Sequence, residues 1–285
     1  MGCADATDKS DTKAEVKAEA KIEQSVETVV TQDDGISLWE ELLTSGHRSD
    51  KNKQRDQYRN PKETLGFFDI KPGMTVVEIA PGGGWYTEII APLLGPNGKL
   101  YAAHFDPNSD VEYYRNSREK FGNKMEADAD LYSNVEITMF QPPEIFDIAP
   151  EGSADAVVTF RNVHNWLRGG RSATVDSFKA MYKALKPGGV LGVVEHRLPK
   201  SIEQDEKASS GYMHQAFVID VAQEAGFKLV ASSEINANPK DTAQHPKGVW
   251  TLPPSLRLGD EDKQKYLSIG ESDRMTLKFV KPTEK

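Results

Sequence analysis

Residues 71–94, Lys71-Pro-Gly-Met-Thr-Val-Val-Glu-Ile-Ala-Pro-Gly-Gly-Gly-Trp-Tyr-Thr-Glu-Ile-Ile-Ala-Pro-Leu-Leu94, constrain the fold of this chain more than any other stretch. The run 75–80 is apolar and rich in β-branched residues, the pattern of a buried strand. Gly82, Gly83 and Gly84 follow at once, then a helix whose apolar positions are Ile89, Ile90 and Leu93. Strand, glycine turn and helix in that order expose backbone N–H groups and let a ligand lie close to the chain. Two phosphate-binding patterns are excluded. The dinucleotide pattern Gly-x-Gly-x-x-Gly requires glycine at 87, where Thr87 stands, and no Lys-Ser/Thr pair follows as in a P-loop. Glu78 lies four residues before Gly82, placed to accept hydrogen bonds from the turn or from a ligand's amino or hydroxyl groups. The turn is therefore either a small-molecule site or a tight strand–helix connection.

With 285 residues the chain can bury one substantial core and a small addition. A formal net charge of −9 disfavours broad contact with nucleic acid, and no nucleic-acid partner is expected. Cys3 is the single cysteine, so no internal disulfide can form. Residues 4–34 hold nine acids and four lysines with no aromatic residue. Lys13, Lys17 and Lys21, like Glu15, Glu19, Glu23 and Glu27, repeat every four residues, so a helix would stack like charges. Residues 1–34 thus read as a disordered acidic, lysine-containing tether. Gly2-Cys3 ahead of such a tether is similar to the processing site of a bacterial lipoprotein. That reading expects a lipid anchor at Cys3 and a periplasmic location; the alternative is an ordinary cytoplasmic start. N-myristoylation at Gly2 is disfavoured by Ala6 at the position that prefers Ser or Thr.

Residues 35–285 read as a single α/β domain. An N-terminal helical segment, 35–68, includes a basic stretch with His47, Arg48, Lys51, Lys53, Arg55 and Arg59. It is either a solvated face or a lid over the glycine turn, with Arg55 and Tyr58 expected to point inward. Strands are expected at 75–80, 99–105, 135–140, 154–160, 190–194, 227–233 and 274–280, with helices between most of them. Lys186-Pro187-Gly188-Gly189 is expected to break a helix spanning roughly 172–185 before the fifth strand. Repeated β–α units of this length specify a mostly parallel sheet covered on both faces. Residues 234–273 carry Pro239, Pro246, Pro253 and Pro254 and are too long for a hairpin, so they are expected to cover the catalytic face.

Ligands in open α/β sheets bind outside the carboxyl ends of the strands. Glu78 and the glycines, His104 to Asp106, Gln141, the segment 161–166 and the segment 195–197 all fall there. Arg161-Asn162-Val163-His164-Asn165-Trp166 offers hydrogen bonds and a flat surface suited to adenine or another planar ligand, or else His164 and Asn162 merely cap a turn. In Glu195-His196-Arg197, His196 has the ordinary pKa range of a general base and Arg197 could orient an anion. The triplet could equally form a buried ion pair with Arg161. Tyr212 and His214 are expected to face the same pocket. The histidine spacings match no zinc motif, and no metal is assigned. No Gly-x-Ser-x-Gly hydrolase elbow is present.

These residues together resemble the class I S-adenosylmethionine-dependent methyltransferases, and within them a bacterial branch with a Pro-Gly-Gly-Gly-Trp-Tyr motif. The resemblance spans about residues 45–282 and rests on an ordered set of motifs. These are Phe67-Phe68 with Lys71-Pro72-Gly73-Met74, Val77-Glu78 with Pro81 to Glu88, Asn162-Val163-His164-Asn165-Trp166, Leu185-Lys186-Pro187-Gly188-Gly189, Glu195-His196-Arg197, and Gly270-Glu271-Ser272-Asp273-Arg274-Met275. The resemblance implies a seven-stranded, mostly parallel, Rossmann-like α/β sheet flanked by helices, and S-adenosylmethionine as cofactor. It assigns the methionine part of the cofactor to Glu78, Ala80, Gly82 and Gly84, the ribose to the end of the second strand, and the neighbourhood of the sulfonium to Arg161 and Asn162. His196, Arg197 and His164 are then the expected catalytic group, and Tyr58, Trp166, Tyr212 and His214 the expected substrate contacts. The chain departs from the family at Ala80, where glycine is usual, at His104, where an acid is usual, and at Gln141, another acid position. Asp106 rather than His104 is expected to meet the ribose, because a carboxylate accepts from two hydroxyls and an imidazole from one. The implied reaction is methyl transfer to a small-molecule acceptor; the alternative is a binding module that keeps the fold without the reaction.

Overall fold

The computed structural model describes Met1 and residues 37–283. The expected tether and the lipid anchor at Cys3 lie outside the described residues. Among the described residues four short helices come first: α1 (Leu38–Thr44), α2 (Asp50–Lys53), α3 (Asp56–Arg59) and α4 (Pro61–Phe67). Strand β1 (Thr75–Ile79) then leads through the glycine turn into α5 (Thr87–Leu94). Next come β2 (Lys99–His104), α6 (Glu112–Ala127), β3 (Val135–Met139) and β4 (Ala154–Phe160). They are followed by α7 (Val163–Trp166), α8 (Gly170–Ala184), β5 (Leu185–His196), α9 (Gln215–Glu224), β6 (Lys228–Ser233), α10 (Lys263–Ile269) and β7 (Arg274–Val280).

The strands form one seven-stranded sheet in the order β3-β2-β1-β4-β5-β7-β6. β1 pairs in parallel with β2 and β4, and β7 runs antiparallel to both β5 and β6. The period-two alternation of a strand sends adjacent residues to opposite faces. Val77 and Ile79 of β1, Val157 of β4 and Leu191 of β5 join one core with Phe178 and Met181 of α8. Val76, Ala156 and Val158 join the other, with Ile89 and Ile90 of α5 and Leu65 and Phe68. The Phe68 ring lies so close to β5 that a Cβ at Gly192 would meet it at 2.5 Å, so only glycine fits there.

The helix before Lys186-Pro187-Gly188-Gly189 ends at Ala184 as expected, but these four residues lie within β5 rather than ahead of it. β5 starts at Leu185, opposite Ala154, and its register then slips so that Ala156 faces Val190. Proline and glycine here make an irregularity within a strand. Strand order reverses between β1 and β4, which is where a doubly wound sheet opens a crevice at its carboxyl ends. Among the described residues, no helix is long and apolar enough to cross a membrane.

Candidate active site

A cavity of about 810 Å3 opens at the carboxyl ends of the strands, within the ~300–1,000 Å3 usual for small-molecule sites. Ala80 and Gly82 lie at one end of its wall, and His164, His196 and Trp250 contribute elsewhere. A smaller cavity of about 280 Å3 includes Glu78, Gly83 and Trp85 in its wall and shares Arg55, Arg59 and Arg161 with the larger one.

The glycine turn is built tightly. Ala80 holds φ at 49°, a left-handed conformation that costs a non-glycine residue roughly 1–2 kcal/mol. Gly84 has φ 76°, and a Cβ there would meet the Phe121 ring at 3.1 Å. At Gly82 nothing lies within 4 Å of where a Cβ would stand, so a ligand can approach the backbone. Asn162 donates its amide to the carbonyl of Ile79 (3.0 Å) and to Thr159 Oγ1 (3.2 Å), tying the loop after β4 to the end of β1. Glu78 accepts from Thr87 Oγ1 at 2.6 Å, which links the strand to the first turn of α5. Burial pushes the Glu78 carboxyl up to about 7, against the opposing pull of Thr87, Lys124 and Arg161.

His104 is not available to a ribose. The backbone N–H of Phe105 donates to its Nδ1 (2.8 Å), so Nε2 carries the hydrogen and donates to the Gly82 carbonyl (3.1 Å). Burial lowers its pKa to about 4, despite the Gly82 bond, so the ring is neutral and braces the glycine turn. Asp106 does not line either cavity, and its Oδ1 accepts from the Asn108 backbone at 2.8 Å. β2 ends at His104, so the strand alternation that was expected to align the two residues does not reach Asp106. Aromatic rings occupy this part of the wall instead, with Phe105 stacked on Tyr114 at 4.1 Å. Gln141 also lines the cavity, and among the described residues its buried Oε1 finds no hydrogen-bond partner.

His164 and His196 lie side by side, their ring centroids 5.5 Å apart. Glu195 organises both: Oε1 accepts from the His196 backbone (2.8 Å), and Oε2 accepts from the His164 backbone (3.3 Å). Oε1 also meets His164 Nδ1 at 3.1 Å. A carboxylate held as acceptor places a hydrogen of His164 on Nδ1. His196 Nδ1 meets Ser272 Oγ at 2.6 Å. Burial lowers the His196 pKa well below its usual range, and His164 and Arg161 add to the effect, so the ring is neutral. One donor atom from each of His164, Glu195 and His196 falls within 4.8 Å of the others, a spacing a metal ion could span. In this structure both Glu195 oxygens and both Nδ1 atoms are already in hydrogen-bonding contacts. The carboxyl-end rule brought both segments to this crevice, but the sequence did not show the direct contact of His164 with Glu195, 31 residues further along the chain.

Five other expectations need correction. Arg197 does not line the cavity; it reaches Glu234 (2.8 and 2.7 Å) and Asp273 (2.8 and 3.0 Å) on the outer side. The expected pairing of its triplet with Arg161 is replaced by that of Glu195 with His164. Tyr212 is buried and donates to Asp241 Oδ2 at 2.8 Å, away from the cavity wall. His214 directly precedes α9 and its Nε2 meets the Ile202 carbonyl at 2.8 Å. Tyr58 packs against Gly270, where a Cβ would meet its ring at 2.7 Å. Arg55 does reach the cavities, and Trp166 lines the large one while its ring also packs on Phe140 and Phe178.

Several functional candidates were missed. Arg59, 2% exposed, lines both cavities and stacks over the Trp85 ring at 4.5 Å. Glu271 accepts from Arg55 Nε (2.6 Å) and Arg59 Nε (3.2 Å), with Arg274 at 3.4 Å. Burial alone would raise the Glu271 pKa, but Arg59, Arg274 and Arg55 hold it down at about 2. Trp250 and Arg257 come from the proline-rich segment, where no periodicity could mark them.

No protein-family model matches the chain. A stretch of 58 residues is 42% identical to a ribosomal RNA small subunit methyltransferase H of Christiangramia forsetii, covering 19% of this chain and 18% of that protein. The chain thus spans under a fifth of that relative's length. Among solved structures, a SAM-dependent methyltransferase from Aquifex aeolicus aligns with a TM-score of 0.53 at 16% identity, over 81% of this chain and 97% of its own. The [4+2]-cyclase SpnF aligns with a TM-score of 0.56 at 14% identity, over 81% of this chain and 83% of its own. Sheet order, the antiparallel β7 and these neighbours together give the chain the class I methyltransferase fold.

Proposed function

We propose that this protein transfers a methyl group from S-adenosylmethionine to an O, N or S atom of a small-molecule acceptor. One observation carries the reading: a single cavity is lined both by the open backbone of the glycine turn and by a neutral, buried His196. The residues present suit the cofactor. Gly82 leaves room beside the backbone, and Nη1 of Arg59 and of Arg161 are buried without a hydrogen-bond partner among the described residues, as receptors for a carboxylate would be. The orphan Oε1 of Gln141 beside the Phe105–Tyr114 stack suits the amino edge of an adenine.

When bound, the cofactor supplies a sulfonium methyl group that an acceptor heteroatom takes as the carbon–sulfur bond breaks and a neutral thioether leaves. Glu78 stands ready to pair with the ammonium of the methionine part, and Arg59 and Arg161 with its carboxylate. His196 receives the proton that the acceptor loses, its ring oriented by Ser272 and its backbone N–H held by Glu195. Trp166 and Trp250 exclude water from the wall around it, and this chemistry needs alignment and dryness more than strong acid–base help.

Titration calorimetry with S-adenosylmethionine and S-adenosylhomocysteine is expected to show saturable binding of both. A folded protein that binds neither at millimolar concentration would overturn the reading. Once an acceptor is found, His196→Gln is expected to lower kcat by roughly 100-fold or more while cofactor affinity changes little.

A second reading has its own support. His104 is consumed by the glycine turn and Asp106 lies off the wall, so the end of β2 offers no carboxylate to a ribose. A binding module for another small ligand fits that feature, and the same calorimetry separates the two.

A further inference from the structure

The large cavity carries a charge imbalance that methyl transfer alone does not require. Arg55, Arg59, Arg161, Arg168 and Arg257 line it against a single carboxylate, Glu271, in a chain whose formal net charge is −9. The five fall into two groups by location. Arg55, Arg59 and Arg161 also line the small cavity beyond the glycine turn, and Arg55 and Arg59 share Glu271. Arg168 and Arg257 line only the large cavity and are exposed at its rim.

This outer pair has no carboxylate partner among the described residues. Each instead stands over the indole of Trp250, Arg168 at 5.9 Å and Arg257 at 4.7 Å. A guanidinium held by its flat face on an aromatic ring keeps its N–H edge free for an oxyanion. Trp250 lies 6.0 Å from His164, which places the pair beside the His164–His196 end of the cavity. Arg171, exposed elsewhere on this acidic surface, is by contrast paired with Asp220 and Glu224. Two arginines of the rim left without acids, and both fixed to one ring, mark a place where negative charge arrives with the ligand.

We propose that the methyl acceptor is an organic anion, which seats its carboxylate or phosphate between Arg168 and Arg257 at the Trp250 wall and turns its nucleophilic atom toward His196. The proposal rests on the methyltransferase reading and adds the acceptor's charge class to it. The electrostatics of the cofactor point the same way. S-adenosylmethionine is a net cation whose one carboxylate is matched by the inner arginines, so the outer pair remains for a second anion. An acceptor anion also offsets the repulsion between a cationic cofactor and an arginine-rich wall.

The probes are benzoate and phenyl phosphate, with benzyl alcohol as the neutral analogue, titrated into the full chain with and without S-adenosylhomocysteine. At least one anion is expected to bind about tenfold or more tightly than benzyl alcohol, and to weaken as salt is raised. The two anions distinguish a carboxylate site from a phosphate site. Replacing both arginines (R168M with R257M) is expected to remove about tenfold of the anion affinity and leave benzyl alcohol and S-adenosylhomocysteine unaffected. The charge-keeping pair R168K with R257K is expected to restore part of it, and thermal unfolding checks that both variants fold. Equal binding of anions and alcohol, anion binding untouched in R168M/R257M, or no anion binding at millimolar concentration each overturn the proposal. Cofactor titration is a separate arm: anion binding without cofactor binding would sink the methyltransferase reading, and cofactor binding without anion selectivity would sink this one.

Discussion

Glu78 couples the site to pH. It lies on β1, buried, with Thr87 Oγ1 at 2.6 Å and a carboxyl pushed up to about 7, burial being the main cause. For an acid whose folded pKa is raised, the folded state holds the extra proton between the ordinary value and the raised one. Stability from this group therefore falls as pH rises from about 4.5 through about 7. A ligand ammonium beside it reverses the preference, because a nearby cation favours the ionised carboxylate. Binding of S-adenosylmethionine is thus expected to release a proton near neutral pH, with affinity falling up to about tenfold per pH unit below about 7. Calorimetry in two buffers of different ionisation enthalpy counts that proton. Glu78→Gln should flatten the pH profile; a wild-type protein that takes up a proton on binding would rule the role out. His104 stands one strand away with its pKa lowered to about 4, so it stays neutral and contributes nothing over this range.

At the scale of elements, the N-terminal helices are clamped to the glycine-turn helix by one buried acid. Glu88 of α5 accepts from Asn52 Nδ2 with both oxygens at 2.9 Å, pairs with Lys124, and lies 3.8 Å from Arg48 Nε. Arg48 in turn holds Asp56 bidentately at 2.8 and 2.7 Å. The clamp fixes α2 and α3 so that Arg55 and Arg59 face the cavities. Glu88→Ala takes the acceptor from Asn52 and the acid from Lys124 while Arg48 keeps Asp56, so the loss is expected to fall below the ~3–5 kcal/mol of a fully stranded buried charge. A lower urea midpoint and faster proteolysis within residues 47–59 are expected; an unchanged midpoint with an intact segment would refute the clamp. These helices also mark where sequence reading stopped. The seven strands were legible because β-branched runs and turn residues bound them, and β4 and β7 start and end where expected. α2 and α3 span four residues each, too few for a period of 3.6 to tell Tyr58 from Arg59. The carboxyl-end rule placed Asn162, His164 and His196, which line the large cavity, and Glu78, which lines the smaller one beside it. It failed at Arg197 because β5 ends at His196, and the next side chain turns out to Asp273 and Glu234.

Across the whole molecule, Glu271 joins the two ends of the described chain. Its oxygens meet Arg55 and Arg59, 216 and 212 residues earlier in sequence, as well as Arg274 at the start of β7. Contacts of that span close the N-terminal helices over the far edge of the site, so their strength bears on the fold and on the cavity together. Burial penalises the charge of Glu271, yet three guanidiniums outweigh it and hold the carboxyl at about 2. For an acid with a depressed folded pKa, the contribution is complete above the ordinary value of about 4.5 and is lost as pH falls toward about 2. The shift corresponds to an effect on the order of 3 kcal/mol. Glu271→Gln keeps the volume and removes the charge, leaving Arg59 and Arg274 buried with no carboxylate between them. At neutral pH the variant is expected to be less stable by about 3 kcal/mol or more, because an uncompensated buried charge costs that much. The difference should then narrow by roughly 2 kcal/mol between about pH 6 and pH 3, since protonation brings the wild type to the same state as the variant. Urea midpoints of both proteins across that range measure the gap. A gap that stays constant with pH would mean that the carboxylate acts through shape and hydrogen bonds alone, and that its charge is not what holds the two ends together.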